Sequence, residues 1–304
     1  MLKLGVDVGG TFTDFALYDE DTGRVSIYKQ LTTPEDPSEG VMEGLEQLLR
    51  SQGKSLSQVS QAIHGTTLAT NILIERKGGA TLITTRGFRD ILEIQRQKRY
   101  DMYDVTIDKP KPLVPRHAIA EVGERIMYDG TILKPLHEQE LLKAVSGLLE
   151  MDAESIAVSF IHSYANPVHE QKAKELIERN YPDLAVSISS EISPQFREYE
   201  RTNTTVVNAY VMQATSRYLS RMLSGLKEGG LVGNLYILQS SGGIATVEAM
   251  EKYPVRMVES GPAAGAIMAS FYGKLLGEPN LISFDMGGTT AKVCMIDDGD
   301  VGLV

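Results

Sequence analysis

Apolar and polar positions alternate with a period of two from the first residues. Leu2, Leu4, Val6 and Val8 form one row, Lys3, Gly5 and Asp7 the other, and Gly9-Gly10-Thr11 interrupts before Phe12 opens a second apolar run. This predicts a strand, a glycine turn and a returning strand, followed by a hairpin over 12–18 and 24–30. Asp36-Pro37-Ser38-Glu39 then reads as N-cap, first-turn proline and capping glutamate of a helix whose Val41, Leu45, Leu48 and Leu49 share a face, with Gly53 ending it. Strands are predicted at 62–64 and 80–84, with a helix over 68–77 between them, and a short helix carries Ile91, Leu92 and Ile94. A hairpin over 121–134 turns at Asp129-Gly130.

From His137 the period alternates between helix (Leu141, Leu142, Val145, Leu148, Leu149), strand (155–161), helix (168–180) and strand (184–189), which is the pattern of βαβ units on a parallel sheet. The stretch 189–200 reads as a polar loop in which Arg197, Glu198, Glu200 and Arg201 form an exposed charge cluster. A long helix is expected from Asn203 to about Leu226. A strand at 235–238 runs into Ser240-Ser241-Gly242-Gly243, and ligands gather at such strand ends in open α/β sheets. A helix over 263–276 follows, with Pro262 suited to its first turn and Ser260 or Gly261 to its cap.

The opening motif returns. Asp7-x-Gly9-Gly10-Thr11 recurs as Asp285-x-Gly287-Gly288-Thr289, again after a strand-like run and before another, 292–296, which turns at 297–300 into 301–304. Alone, the first copy fits an ordinary Gly-Gly hairpin as well as an anion-binding turn. One such match arises by chance in about one chain in a hundred on average residue usage, so two in the same setting argue for function. Glycines without Cβ let backbone N–H groups converge on an anion, and the Thr11 and Thr13 hydroxyls can add hydrogen bonds to phosphate oxygens. Asp7, at a strand end, is placed to hold a hydrated divalent cation against that phosphate. His64-Gly65-Thr66-Thr67 leads into a helix and offers a second anion or carbonyl contact, although Thr66 fits equally as a plain helix cap and His64 as a satisfied core histidine.

Composition narrows the classes. With 304 residues, 42% hydrophobic, the chain can bury a sizeable core in one large or two ordinary domains. A formal net charge of -10 argues against nucleic acid or an anionic membrane as the main partner, and the basic, aromatic stretch 96–104 is flanked by acids. No apolar run of about 18 residues and no signal-peptide pattern is present, which with a single cysteine, Cys294, leads us to expect a cytoplasmic protein. Cys294 is expected in the core. Gly53-Lys54-Ser55 lacks the upstream glycine of a P-loop, and His137, His162 and His169 have no tight metal-ligand spacing.

The paired Asp-x-Gly-Gly-Thr hairpins resemble the phosphate-1 and phosphate-2 loops of the actin-like ATPase superfamily. The finer resemblance is to the hydantoinase A/5-oxoprolinase family. It is carried by the blocks 5–14, His64-Gly65-Thr66-Thr67 with Asn71, Gly87-Phe88-Arg89-Asp90, Glu198-Tyr199-Glu200-Arg201, Asn208-Ala209-Tyr210, Ser260-Gly261-Pro262-Ala263 and 284–290, in family order along the whole chain. Two positions depart from the family pattern, 99–105 and Ser240-Ser241-Gly242-Gly243, and either change could retune a substrate pocket.

The resemblance implies an α/β chain of the actin-like ATPase (ribonuclease H-like) fold, mixed sheets flanked by helices, with the second ATPase domain truncated. It implies an N-terminal hydantoinase/oxoprolinase domain over 1–200 and the start of a hydantoinase A domain over 201–304. The adenosine-binding segment is expected downstream. The implied activity is ATP-dependent opening of a cyclic amide of the hydantoin, N-methylhydantoin or 5-oxoproline type, in which phosphorylation of the carbonyl oxygen activates the ring toward water. Gly9, Gly10, Thr11, Gly287, Gly288 and Thr289 would clamp phosphates, Thr13 and Thr290 would add hydroxyl contacts, and Asp7 and Asp285 would hold Mg²⁺ or Mn²⁺ through water. His64, Thr66, Thr67 and Asn71 would contact substrate. A hydantoinase B-type subunit or domain is the implied partner, in an oligomer. An acetone- or acetophenone-carboxylase subunit is the alternative within enzymes, and a nucleotide-driven activator or chaperone-like switch is the alternative outside them. The 304 residues alone are expected to fold through their first domain without turning over ATP.

Overall fold

The computed structural model describes residues 1–33, 36–98, 101, 103–104, 106–151, 153–286 and 291–302. In chain order the elements are β1 (Leu2–Val8), β2 (Phe12–Asp19), β3 (Arg24–Leu31), α1 (Pro37–Ser51), β4 (Val59–Thr66) and α2 (Leu68–Ile74). Next come β5 (Thr81–Thr85), α3 (Ile91–Ile94), β6 (Ile119–Val122), β7 (Arg125–Ile126), β8 (Ile132–Lys134), α4 (Glu138–Leu149), β9 (Ser155–Ser159), α5 (Val168–Asn180), β10 (Ala185–Ile188), α6 (Ser189–Ile192) and α7 (Glu198–Glu228). The chain ends with β11 (Asn234–Leu238), β12 (Ile244–Thr246), α8 (Val247–Lys252), α9 (Ser260–Leu276), β13 (Leu281–Met286), β14 (Ala291–Asp297) and β15 (Asp300–Val301). The contacts divide the chain into two compact units, Met1–Ile74 with Thr215–Val304, and Glu75–Ala214.

In the first unit a six-stranded mixed sheet is ordered β12-β11-β4-β1-β2-β3. β1, β2 and β3 form an antiparallel meander, whereas β1, β4 and β11 are parallel. The period-two row read from the sequence is the reason: Leu2, Leu4, Val6 and Val8 are all buried, joined by Phe15 and Leu17, by the Val41/Leu45/Leu48/Leu49 face of α1 and by Tyr218, Leu219, Met222 and Leu226 of α7. α1 is capped as expected, with the Asp36 carboxylate accepting from the Ser38 N–H at 3.0 Å and Pro37 in the first turn. It lies so close to the sheet that a Cβ on Gly44 would stand 2.4 Å from Phe15 Cζ. A mixed sheet with helices packed on it bears out the expected fold class.

In the second unit the sheet β10-β9-β5-β6 is parallel throughout. Its strands are buried on both faces, as parallel strands between helical layers must be. Ile83, Ile156 and Val158 face Leu141, Val145 and Ile177, while Leu82 and Ala157 join Ile91, Leu92, Val206 and Ala209. Several sequence expectations need correction. The 121–134 hairpin is two elements: β6 pairs with β5, and only β7 and β8 pair across the Asp129-Gly130 turn. The helix after β4 stops at Ile74, with Arg76 in the left-handed region (φ 53°). The stretch taken as a polar loop holds α6 and the first turn of α7, which begins at Glu198 rather than Asn203.

The charge cluster is also not all on the surface. Arg201 is 1% exposed, donating from Nε to Ser189 Oγ at 3.2 Å, from Nη1 to the Gln195 carbonyl at 3.0 Å and from Nη2 to the Phe160 carbonyl at 3.1 Å. Glu170 is fully buried beside it, accepting from the Phe160 and Ser190 N–H groups and from Ser189 Oγ, each at 2.7 Å. A buried ion survives because its remaining donors and acceptors are satisfied in this way.

After α9 the chain forms the antiparallel sheet β13-β14-β15, with residues 303 and 304 outside the described residues. Cys294 is half-buried rather than in the core. Cross-strand pairs Ile282–Met295 and Phe284–Val293 leave four large apolar side chains exposed on this hairpin. Among the described residues no helix is long and apolar enough to cross a membrane.

One polar pair sits inside the first unit's core. His64 on β4 is fully buried, with Nδ1 bonded to the Val6 carbonyl on β1 at 3.2 Å and Nε2 3.0 Å from the Tyr218 hydroxyl on α7. A carbonyl only accepts, so Nδ1 carries the proton and Nε2 accepts from Tyr218. Burial pushes the His64 pKa down to about 4 and the Tyr218 pKa upward. Because the unfolded histidine titrates near 6.5, the stability this neutral ring contributes is complete above that pH and is lost as pH falls from 6.5 to about 4. The loss is on the order of 3 kcal/mol. Urea unfolding at several pH values should show this slope, and His64→Asn should flatten it. Gly44→Ala should destabilise by about 1–3 kcal/mol through overpacking against Phe15, despite the better helix propensity of alanine; a urea midpoint equal to or above wild type would contradict the close approach.

Candidate functional site

The first unit's three parallel strands all end at the same edge of the sheet, and each runs into a turn rich in glycine or hydroxyl residues. On β1 the turn is tight, with the Gly9 N–H donating to the Phe12 carbonyl at 2.9 Å and Gly10 and Thr11 exposed at its apex. Thr32 pins it from behind. Its Oγ1 donates to the Gly9 carbonyl at 2.9 Å, and its N–H to the Thr11 carbonyl at 3.0 Å. Thr13 lies fully buried, its Oγ1 3.0 Å from Thr32 Oγ1, so its hydroxyl braces the turn from inside the fold. Thr32 supports the turn without any signal of that part in the sequence.

On β4, Thr66 Oγ1 accepts the Leu68 N–H at 3.1 Å, so this threonine caps α2, and His64 is the core histidine bonded to Val6 and Tyr218. Thr67 N–H donates to the Val8 carbonyl at 3.1 Å, and Asn71 Nδ2 reaches Thr67 Oγ1 at 3.4 Å. A Cβ on Gly10 would stand 3.7 Å from Asn71 Nδ2. Of the four residues expected to contact substrate, the fold therefore brings Thr67 and Asn71 beside the first turn and keeps His64 and Thr66 buried.

Asp7 is where these elements meet. It pairs in register with Asp14 on β2 and with Gly65 on β4. A Cβ on Gly65 would stand 3.0 Å from Asp7 Oδ1, and one on Gly261, in the first turn of α9, 3.9 Å from the same oxygen. Gly65 is the tight one: a side chain there would crowd the carboxylate, whereas 3.9 Å at Gly261 is ordinary contact. Ser260 Oγ ties α9 to the Thr66 carbonyl at 3.2 Å, and the Glu259 N–H donates to Thr70 Oγ1 at 3.0 Å. Glu259 takes a left-handed conformation (φ 64°) at the helix cap, which nothing in the sequence signals.

The second copy of the motif is built to the same plan. Val8 pairs with Thr13 across β1–β2, leaving four residues in the turn, and Met286 pairs with Ala291 across β13–β14, again leaving four. Asp7 faces Asp14, and Asp285 in the equivalent place faces Lys292, which bonds Glu259 at 2.6 Å. Gly287, Gly288, Thr289 and Thr290 lie outside the described residues.

The electrostatics link the two hairpins. Water reaches the Asp7 side chain, yet the surrounding backbone strips much of its hydration, and its pKa is raised first by this desolvation, then by the negative charges of Asp14 and Asp285. Lys29 and Lys292 oppose the shift without cancelling it. Among the described residues no group of three or more His, Cys, Asp or Glu side chains could hold a metal directly. A magnesium ion that keeps its waters needs only one or two carboxylates, and the donor set of Asp7 and Asp285 fits such an ion.

Comparison with known proteins identifies the family. Residues 3–181 match the model of the hydantoinase/oxoprolinase N-terminal region, and residues 201–304 match that of hydantoinase/oxoprolinase. The chain is 42% identical to an uncharacterized protein of Methanocaldococcus jannaschii, over 97% of this chain and 43% of that protein. It is 36% identical to the caprolactamase subunit alpha of Pseudomonas jessenii, over 98% of this chain and 44% of that subunit. The nucleotide-free structure of acetone carboxylase superimposes over 98% of this chain and 44% of its own with a TM-score of 0.89 at 31% identity. The chain thus spans under half the length of these relatives, and over that span it belongs to the hydantoinase/oxoprolinase family.

Proposed function

We propose that this chain is the phosphate-binding portion of an ATP-dependent hydrolase of cyclic amides, acting with a hydantoinase B-type partner subunit or domain. The observation that carries the reading is the pair of aspartates, Asp7 and Asp285, held on hairpins of equal turn length within each other's electric field. Like charges so placed are most readily explained by a cation and a polyphosphate between them. Similarity to a caprolactamase subunit supports an amide ring as substrate.

When bound, ATP with Mg²⁺ supplies the phosphoryl group that makes an amide carbonyl susceptible to water. The chain's own part is positioning and charge neutralisation, the usual content of phosphoryl-transfer catalysis. The Gly10 and Thr11 backbone at the exposed apex would donate to phosphate oxygens. Asp7 and Asp285 would hold the ion through its waters. Thr32 and the buried Thr13 keep the apex from moving. In the second copy Gly287, Gly288 and Thr289 would clamp phosphates and Thr290 would add a hydroxyl contact. Thr67 and Asn71 stand beside the first turn and are the side chains we assign to the transferred phosphoryl group.

The raised Asp7 pKa gives a prediction with two signs. Ionising a carboxyl whose folded pKa lies above its unfolded value costs stability at neutral pH, a cost that vanishes on acidification below the unfolded pKa. Asp7→Asn should therefore raise the melting temperature of the ligand-free protein at pH 7, while weakening Mg²⁺-dependent binding of a non-hydrolysable ATP analogue at least tenfold by calorimetry. Lower stability together with unchanged binding would take Asp7 out of the cation site. The activity itself is tested by ADP release from the whole protein with its partner, against a panel of lactams, hydantoins and ketones. Release should depend on a cyclic amide and should be absent from the 304 residues alone. Dependence on a ketone and bicarbonate would assign a carboxylase instead, and release indifferent to every compound would assign a nucleotide-driven switch.

A further inference from the structure

Glu198 and Arg201 of the Glu198-Tyr199-Glu200-Arg201 block close one side of a cavity that lies wholly within the second unit. This cavity has a volume of about 200 Å³. At roughly 30 Å³ per water it has room for six or seven waters, and it falls below the range of about 300–1,000 Å³ typical of drug-sized ligands. That volume suits a single small ring.

Its walls are aromatic. Phe88, Tyr164 and Phe196 line it, with Tyr164 and Phe196 edge to face at 5.9 Å. Two guanidinium groups lie against these rings, Arg125 at 5.0 Å from the Phe88 centroid and Arg201 at 5.4 Å from that of Tyr164. Arg201 is locked in place by Ser189 and by the Gln195 and Phe160 carbonyls. A guanidinium has five N–H groups, so these three bonds leave Arg201 two more to donate. Acceptors are present as well: the Glu198 carboxylate, and Nε2 of His162, whose Nδ1 donates to the Ile126 carbonyl at 2.9 Å.

The backbone is held out of its ordinary range at the same place. His162 (φ 61°) and Arg197 (φ 82°), the latter next to two lining residues, are left-handed without being glycine. Such conformations persist where the surroundings enforce them, commonly around bound ligands. The folded chain thus commits a buried arginine and two strained residues to shaping one small cavity.

We propose that this cavity binds a small cyclic amide, its ring stacked among Phe88, Tyr164 and Phe196, its carbonyl oxygen accepting from Arg125 and Arg201, and its ring N–H donating to Glu198 or His162. The choice of ring over other carbonyl compounds rests on the cyclic-amide function proposed for the chain. The donor and acceptor sets of the cavity are those of an amide, since carboxylates alone would leave Glu198 opposed to a like charge.

The test is ligand-observed NMR titration of the 304-residue chain with hydantoin, 5-oxoproline and caprolactam, with acetate as competitor. Parallel titration with a non-hydrolysable ATP analogue keeps the two sites separate. At least one ring should bind, and its Kd should rise at least tenfold in Phe196→Ala and in Arg125→Gln. Phe196 is 70% exposed, so its truncation leaves the fold intact. Absence of ring binding, ring binding insensitive to both substitutions, or displacement by acetate as effective as by a second ring would each overturn the assignment. Ring binding in a chain that does not bind the nucleotide analogue would uphold this site on its own, and the ATP-dependent reading stands or falls separately on ADP release by the whole protein.

Discussion

Asp7 has to ionise against the field of two other carboxylates, and the first unit is arranged to make it do so. Asp14 is placed opposite by the register of β1 and β2, and Asp285 is brought into range on β13, far along the chain. Relaxing any of the supports would let the charges separate. The Thr32 bonds behind the first turn, the close approach of Gly65, and the Ser260 tie between α9 and β4 all act against that relaxation. Stability is given up locally and held elsewhere, in the apolar row of β1 and its cover by α1 and α7. A carboxylate whose charge is costly in the free protein is what the proposed binding of a compensating cation would exploit.

The fold was legible in sequence where one residue pattern has one structural outcome. The period-two row 2–8, the capped face of α1 and the helix–strand alternation after His137 became the elements expected of them, since burial of alternate or every third-to-fourth residue leaves little choice. The failures share a cause. Boundaries at Ile74 and Glu198, and the splitting of 121–134 into strands of two sheets, depend on partners distant in the chain, and no local period records a partner.

The site divides along the same line. Asp7, Gly9, Gly10 and the repeat at Asp285 were readable because the motif is short, local and present twice. Thr32, Glu259 and Lys292 were not, because a threonine after a strand, a glutamate before a helix and a lysine in a strand are ordinary in themselves. His64 and Thr66 left two readings open in sequence, and burial decides between them: both ring nitrogens of His64 are spent on Val6 and Tyr218, and the Thr66 hydroxyl on the cap of α2.

Arg201 marks the limit of reading charge from sequence. Four ionisable residues within five positions at a helix start look like a solvated surface, and two of them are more: Glu198 lines a cavity, and Arg201 lies at 1% exposure. What reverses the expectation is not the cluster but its surroundings, a carboxylate on α5, a hydroxyl on α6 and carbonyls from two loops, which together offset the desolvation of one guanidinium. Had the arginine been needed only for stability, an apolar side chain of similar volume would have served as well or better, since replacing buried ions with packed hydrophobics is often neutral or stabilising. The two guanidinium N–H groups left over beside the cavity are the physical ground on which the ring-binding proposal stands.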